Sequence, residues 1–514
     1  MEDVSTASIA IDKLRSSLSP VNLLPLDILL LIPTHFESLS DLFQATFVCR
    51  RWRQTFIQHA PFWSQLCLTR TTDRSLLAVL LERVKQSPLD ITMLHFGMSI
   101  PQLTLLSPFT RQIRSLTLES ACRSDIQNAS VALSGRLPLL QTLYIEDPGY
   151  THDYQFPFDP KMPLFSGAVN VQKLTLCVCR SSFLSQLAFP NLTTLNFMGG
   201  LDDNPVSLLL DFLEASPSLR KINIIISRHA GLSHEDVPLD RVLILPYVKY
   251  FFLVFPTNNR GWELATHLSC PSAEYSRFEL RLASHDRTTY NIPEDTHPLP
   301  LQWSAIVHQY AMGMVDEVQL KFYTDHDLTC SITFLSSSNG STLELSYKYI
   351  TDDDGGWNAT SGWKIASDIF SRASRIIRDH PQVGNVRRLY IKGGDFLVGD
   401  LKLAANDIGK LLMFLEPLER LCLFECDLRP YLDPFLDTPL FPDAIQPTSF
   451  PPIKEFTIIS PAQSSRDEKA YAAAVVKLAK SQHARGVPFE RVTLPPGALY
   501  WVGEELLLSV NTVE

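Results

Sequence analysis

The sequence predicts an α/β chain: a short helical module near the N-terminus, then a long region in which short strands and helices alternate and stack as a solenoid. Two observations predict it. A dense apolar stretch fills residues 24–66, LPLDILLLIPTHFESLSDLFQATFVCRRWRQTFIQHAPFWSQL, with polar residues only in short interruptions. Beyond it, the pattern apolar-x-x-apolar-x-apolar recurs eleven times. One such hexamer is weak evidence, since any half-buried strand has this spacing. Eleven with a shared polar middle make a repeat.

Within the module, Leu39, Leu42, Phe43 and Phe47 recur at helical spacing, and Val48, Trp52 and Phe56 continue the stripe. Ser38 or Ser40 can cap its start, with Asp41 near the positive end of the helix. Asn22 or Pro25 opens an earlier helix through Ile28, Leu29 and Ile32, which Pro33 kinks or ends. Pro61 stops the last run, and Phe62 and Trp63 can pin a turn onto a small helical core. So small a core cannot enclose all these large apolar side chains, so the surplus packs on the rest of the chain or binds a partner.

This stretch resembles an F-box, of the type abundant in mushroom-forming fungi (basidiomycetes). The resemblance rests on Leu24-Pro25, Asp27-Ile28-Leu29, Phe36, Leu39-Ser40-Asp41-Leu42, the run Val48-Cys49-Arg50-Arg51-Trp52-Arg53, and Pro61-Phe62-Trp63. Asp27 stands where the family usually has Glu, and Pro33 falls inside a segment that is usually helical. The resemblance implies a protein that hands substrates to a Skp1–cullin ubiquitin ligase. Leu24, Pro25, Ile28 and Leu29 would anchor Skp1, with Leu42, Val48 and Trp52 supporting them; Trp52 reads equally as plain core.

The repeat follows a helix at residues 76–84, ended by Ser87-Pro88, and a short strand through Leu89, Ile91 and Met93. Its hexamers start at Ile113, Leu140, Val171, Leu192, Leu219, Tyr275, Val315, Val386, Leu418, Ile453 and Phe489. The fourth and sixth positions alternate on a strand and face inward, while the first sits on the turn into it. Stacked units bury together what one cannot bury alone. The first five are 27, 31, 21 and 27 residues apart, and those from Leu389 onward 32, 35 and 36. Helices expected at 206–215, 408–415 and 471–480 precede strands, as in a helix-backed solenoid. This region resembles, more loosely, the irregular leucine-rich-repeat-like substrate domains of F-box proteins. The expected fold class is therefore α/β: a short N-terminal helical F-box followed by an irregular leucine-rich-repeat-like solenoid.

The expected organisation is a polar lead-in over 1–20, the F-box-like module over 21–68, a first part of the solenoid over 69–224, enlarged repeats or an inserted subdomain over 225–385, and a last part over 386–514. Residues 328–349 read as a two-stranded excursion turning at SSSNGS.

Composition narrows the function. The 514 residues are 45 % hydrophobic and 19 % charged, as in a globular chain, and the net charge of −10 argues against a general nucleic-acid binder. The nine cysteines are scattered and read as thiols in a reducing compartment, hence a cytoplasmic or nuclear protein. Cys177 with Cys179, and Cys422 with Cys426, lack the further ligands of a zinc site. No run is long and apolar enough for a membrane span, and the first twenty residues lack a secretory core. Residues 351–356, TDDDGG, lack the alternating ligands and distal Glu of a calcium loop. No phosphate loop, nucleophile elbow or H-E-x-x-H is present, and His326 between Asp325 and Asp327 reads as a solvated turn. The expectation is no catalysis, no cofactor, no metal, no nucleic acid and no membrane.

The expected partners are Skp1, cullin through it, and a protein substrate. Arg114, Lys173, Thr194, Lys221, Arg388, Arg420 and Glu455 fall on the solvent side of the strands. Lys173, Lys221, Arg388 and Arg420 are the candidate substrate contacts, on a face that would favour acidic or phosphorylated segments. The rival expectation is a leucine-rich-repeat-like binding scaffold outside any ligase, with the module as a cap on the open apolar end.

Overall fold

The computed structural model describes residues 24–36, 39–94, 100–121, 123–133, 137–147, 164–177, 181–199, 205–226, 241–256, 261–283, 315–324, 328–338, 340–350, 385–392, 412, 415, 417–424, 453–459, 465–484, 486–495, 506 and 510–513. The lead-in, His326, residues 351–356, Cys179, Cys426 and most of the expected helix at 408–415 lie outside them. The chain divides into two compact units, Met1–Asn196 with Asp211–Ser216, and Phe197–Leu210 with Pro217–Glu514. The architecture is a short N-terminal helical module followed by a mixed α/β region with a large sheet.

The first unit opens with helix α1 (Leu26–Leu31), a 3-10 turn (Ile32–His35), α2 (Leu39–Ala45), α3 (Arg50–Gln58) and a second 3-10 turn (Ala60–Trp63). Pro25 sits at the N-cap of α1, and Pro33 falls in the 3-10 turn that ends the α-helix. The apolar stripe expected to run from Leu39 to Phe56 is broken into two helices. The Thr46 hydroxyl donates to the Phe43 carbonyl at 2.6 Å, and Cys49 is extended at φ −158°, so the chain leaves one helix and re-enters another. Helical periodicity hides this break because Phe47 and Val48 happen to continue the spacing.

Next come β1 (Gln65–Thr69), α4 (Arg74–Val84), β2 (Leu89–Leu94), α5 (Ile100–Leu106), β3 (Ile113–Leu118), α6 (Arg123–Ala132), β4 (Thr142–Glu146) and β5 (Lys173–Cys177). Asp73 caps α4, its carboxylate accepting from the Ser75 and Leu76 amides at 2.6 and 3.2 Å. Strands β1 to β5 pair in sequence order, all parallel. Their register aligns Leu68, Met93, Leu118, Ile145 and Leu176 in one row, every member buried. β6 (Thr194–Gly199) and helix α7 (Pro205–Glu214) follow.

The second unit holds β7 (Lys221–Ile226), β8 (Leu243–Ile244), β9 (Tyr250–Pro256), α8 (Gly261–Thr266), β10 (Leu268–Ser269), β11 (Tyr275–Ala283), β12 (Glu317–Thr324), β13 (Leu328–Leu335), β14 (Thr342–Ile350), β15 (Arg388–Lys392), β16 (Arg420–Phe424), β17 (Glu455–Ile459), α9 (Ser465–Ala484), β18 (Phe489–Thr493) and β19 (Val510–Val513). β8 and β10 form a small separate pair. In the main ladder the spatial order is β7, β9, β11, β14, β13, β12, β15, β16, β17, β18, β19. Among the described strands of this ladder, only β13 runs antiparallel to its neighbours. The β13–β14 hairpin inserts between β11 and β12, so the described strands of residues 225–385 pair directly with those flanking them. One row carries the core across this ladder: Ile224, Leu253, Phe278, Leu345, Ile332, Leu320, Ile391, Leu423 and Ile458, all buried.

In one hexamer the register is offset by two residues. The spacing predicts Phe278 and Leu280 as the inward pair of β11, but Phe278 pairs with Leu253 and Leu345 in the sixth-position row, and buried Ser276 takes the fourth. Cross-strand pairing sets register, and a shift of two keeps the same face inward.

Candidate functional site

The core of the N-terminal module is Leu29, Leu42, Ala45, Phe56 and Trp63, all buried. The Trp63 indole N–H donates to the Phe56 carbonyl at 2.7 Å, and the Trp63 ring meets Phe43 edge-on at 5.4 Å. Trp52 and Phe62 pack edge-on against Phe56 at 5.3 and 5.8 Å. The run Val48 to Arg53 then reads residue by residue. The Cys49 sulfur accepts from the Trp52 amide at 3.5 Å and caps α3. Arg51 donates to the Leu24 carbonyl at 2.6 Å, tying the start of the module to α3. Arg53 donates to the Thr46 carbonyl at 3.0 Å and lies 5.8 Å over the Phe47 ring. Arg51 and Arg53 therefore brace the module.

What this bracing presents outward is apolar. Leu26, Ile28 and Leu31 of α1 are exposed, as are Val48 and Phe47, the latter at 73 %. Of the residues expected at a partner contact, Pro25, Ile28 and Val48 face solvent, Leu24 and Trp52 are half-buried, and Leu29 and Leu42 are core. Leu29 and Leu42 thus shape the surface from beneath. Leu26, Leu31 and Phe47 were not singled out from the sequence. The solid run Leu-Asp-Ile-Leu-Leu-Leu hides which residues point out, and the break at Thr46 turns Phe47 outward.

Residues 21–69 match the F-box-like family model. No curated protein matches the chain. The match takes in the VCRRWR run and the Phe-Trp pair, and among the described residues Leu26, Ile28, Leu31, Phe47 and Val48 stay exposed.

The four basic candidates for substrate contact fall in different units and surroundings. Lys173 starts β5 in the first unit and Lys221 starts β7 in the second, both exposed. Arg388 donates to Asp316 at 2.7 Å and to the Ser337 hydroxyl at 2.6 Å, with Glu317 at 3.3 Å. Arg420 pairs with Glu455. Burial pulls the Arg420 guanidinium down, but Tyr390 and Glu455 more than offset it and hold it above its ordinary value. Burial likewise raises the Asp316 carboxyl, yet hydrogen bonds from Ser337 and the Arg388 charge bring it below the usual range. The register places Glu317, Arg388, Arg420, Glu455 and Arg491 in one row, and the preceding residues Asp316, Arg387, Glu419, Lys454 and Glu490 alternate in sign. Arg388 and Arg420 belong to cross-strand ion pairs, and their charge is matched locally.

Arg114 repeats the arrangement in the first unit, paired with Asp90. The thiols of Cys67, Cys177 and Cys422 are pushed up chiefly by burial, the opposite of what a nucleophilic cysteine needs. Among the described residues no group of three or more His, Cys, Asp or Glu is placed to hold a metal, and no helix is long and apolar enough to cross a membrane.

Proposed function

We propose that this chain is the substrate-recognition subunit of a Skp1–cullin–F-box ubiquitin ligase. The observation that carries the reading is the F-box-like match over residues 21–69 on a domain whose exposed surface holds Leu26, Ile28, Leu31, Phe47 and Val48. Large apolar side chains gathered on a small domain mark an interaction surface. In this reading Pro25, Ile28 and Val48 touch Skp1, with Leu24 and Trp52 at the margin and Leu29 and Leu42 supporting them; Leu26, Leu31 and Phe47 extend the contact. Cullin joins through Skp1. The mixed α/β region acts as an irregular leucine-rich-repeat-like solenoid that holds a protein substrate. This chain performs no catalysis: other subunits transfer ubiquitin, and it raises the concentration of the target beside them. The setting is cytoplasmic or nuclear. Co-purification of the full chain with Skp1 and cullin tests the proposal, with an Ile28→Asp/Phe47→Asp variant as control. Wild-type chain that recovers no Skp1 overturns it.

A second reading has its own support. The F-box-like domain packs on α4, the helix that follows it, with Trp63 buried and Arg83 of α4 stacked on it. A domain so placed would act as a cap for a binding scaffold outside any ligase. Skp1 recovered without cullin favours that reading.

A further inference from the structure

We propose that the side of β1 to β5 turned away from the apolar core docks a basic segment of a protein partner, with a Lys or Arg side chain seated against Glu119 and Glu146. This deepens the substrate-holding role proposed for the α/β region and rests on it. The face is open: on β1 to β4 every position of this side, from Gln65 to Glu146, is exposed or half-buried. In the second unit the same side is buried at Val254, Glu279, Ser346 and Ser331, one row across β9, β11, β14 and β13. Glu119 directly follows β3, and the register that sets Leu118 beside Ile145 sets it beside Glu146. The Ala121 amide, donating to the Glu146 carbonyl at 2.8 Å, keeps the two chain segments together past the strand end. The two carboxylates are thus lateral neighbours on parallel strands about 4.8 Å apart. Half-buried Leu94 ends β2 in the same row, since Met93 stands beside Leu118.

The chemistry of the partner follows from the charge this face leaves unmatched. Arg114 is held by Asp90, and among the described residues no cation pairs with Glu119 or Glu146. Lys173, exposed at the start of β5, stands beside Thr142, four residues before Glu146 and so roughly 13 Å away along the strand. Like charges side by side on adjacent strands repel. A cation brought by a partner is therefore favoured twice, by its own attraction and by the repulsion it removes. Tyr144 holds one carboxylate in place, its hydroxyl donating to Glu146 at 3.2 Å. Burial first, then Cys177 and Glu146, keep that hydroxyl above its ordinary pKa, so it stays a donor at neutral pH. The charge of Glu119 reaches Cys67 on β1, where it adds to burial in raising the thiol. Leu94 offers the aliphatic stem of a Lys or Arg an apolar seat beside the carboxylates. Nearer the strand centres, Thr92, Thr117 and Thr175 carry hydroxyls that donate to or accept from an extended backbone. An acidic or phosphorylated segment would meet Glu119 and Glu146 and be repelled.

The test is selection of a displayed random-peptide library on the full chain, with Skp1 recovery read on the same preparations. Enriched peptides are expected to carry Lys or Arg and to bind less tightly as salt rises. Their affinity should fall at least about tenfold on Glu119→Gln/Glu146→Gln. The double variant removes a repulsion, so it should melt no lower than wild type, which separates lost binding from lost fold. Should the pair destabilise the chain, Glu119→Gln and Glu146→Gln taken singly, each expected to lose part of the affinity, give the same reading. Glu82→Gln alters an exposed carboxylate of α4 outside this face and should leave the affinity unchanged. Enrichment of acidic or uncharged peptides, no enrichment, or an equal loss on Glu82→Gln overturns the surface. Peptides that depend on Glu119 and Glu146, on a chain that fails to recover Skp1, uphold the surface and overturn the adaptor reading. Skp1 recovery with basic peptides indifferent to these variants overturns the surface alone.

Discussion

The guanidinium of Arg83 lies 4.4 Å over the Trp63 ring, and 5.5 Å over Phe43. Trp63 lies in the F-box-like domain and Arg83 in the helix that follows it, so this stack joins the two. A desolvated cation over an aromatic face is worth about 2 kcal/mol, and an exposed one about 0.5–1 kcal/mol. Arg83→Met keeps the stem and removes the charge, so it should lower stability by about 1 kcal/mol. Trp63→Ala removes a fully buried ring and its bond to Phe56, and should cost about 3–5 kcal/mol. Urea melts of both variants check this. Equal losses would mean that Trp63 contributes only through Arg83.

The apolar surface of the F-box-like domain separates binding from folding. Ile28→Asp and Phe47→Asp alter exposed side chains and should shift stability by no more than about 0.5 kcal/mol. Together they should abolish recovery of Skp1. Leu29→Ala removes a buried side chain and should cost about 2–5 kcal/mol. Thermal melts alongside the pull-down distinguish a lost contact from a lost fold. Substitutions suit this question better than deleting residues 20–66, because β1 begins at Gln65.

The ion pair of Asp316 with Arg388 predicts a pH dependence. The Asp316 carboxyl lies below its ordinary value in the folded chain. A depressed carboxylate contributes stability that is fully present above the unfolded pKa of about 3.9 and is lost as pH falls through the folded value. Wild-type stability should therefore show an acid loss beginning below about pH 4 that Asp316→Asn lacks. At neutral pH, Asp316→Asn should already be the less stable. Urea midpoints measured across this range decide it; parallel curves for the two proteins would show that Asp316 is not the group responsible.

Much of the strand framework is legible in the residues because period-two alternation survives in each strand. Leu116 with Leu118, Leu389 with Ile391, and Phe456 with Ile458 are inward pairs in both sequence and structure. Pro33 ending α1 is equally readable, since its missing N–H allows little else. What escapes is whatever depends on a partner strand. Ser276 replaces an apolar residue in the inward row of β11 because pairing with β9 and β14 sets the register. The candidate site fails to read for the same reason. Arg388 and Arg420 look like solvent-facing charges in one dimension, while Asp316 and Glu455 reach them only through lateral pairing. Phe47 is hidden by a helix break that a hydroxyl-to-carbonyl bond at Thr46 marks more clearly than apolar spacing does.

Charge reversal on the strand exteriors should therefore divide by partner. Arg388→Glu sets a new carboxylate against Asp316 and Glu317, and Arg420→Glu sets one against Glu455. Like charges directly across strands are destabilising by roughly 0.2–1 kcal/mol each. Both variants should melt below wild type. Lys173→Glu and Lys221→Glu alter exposed residues and should leave the melting temperature unchanged.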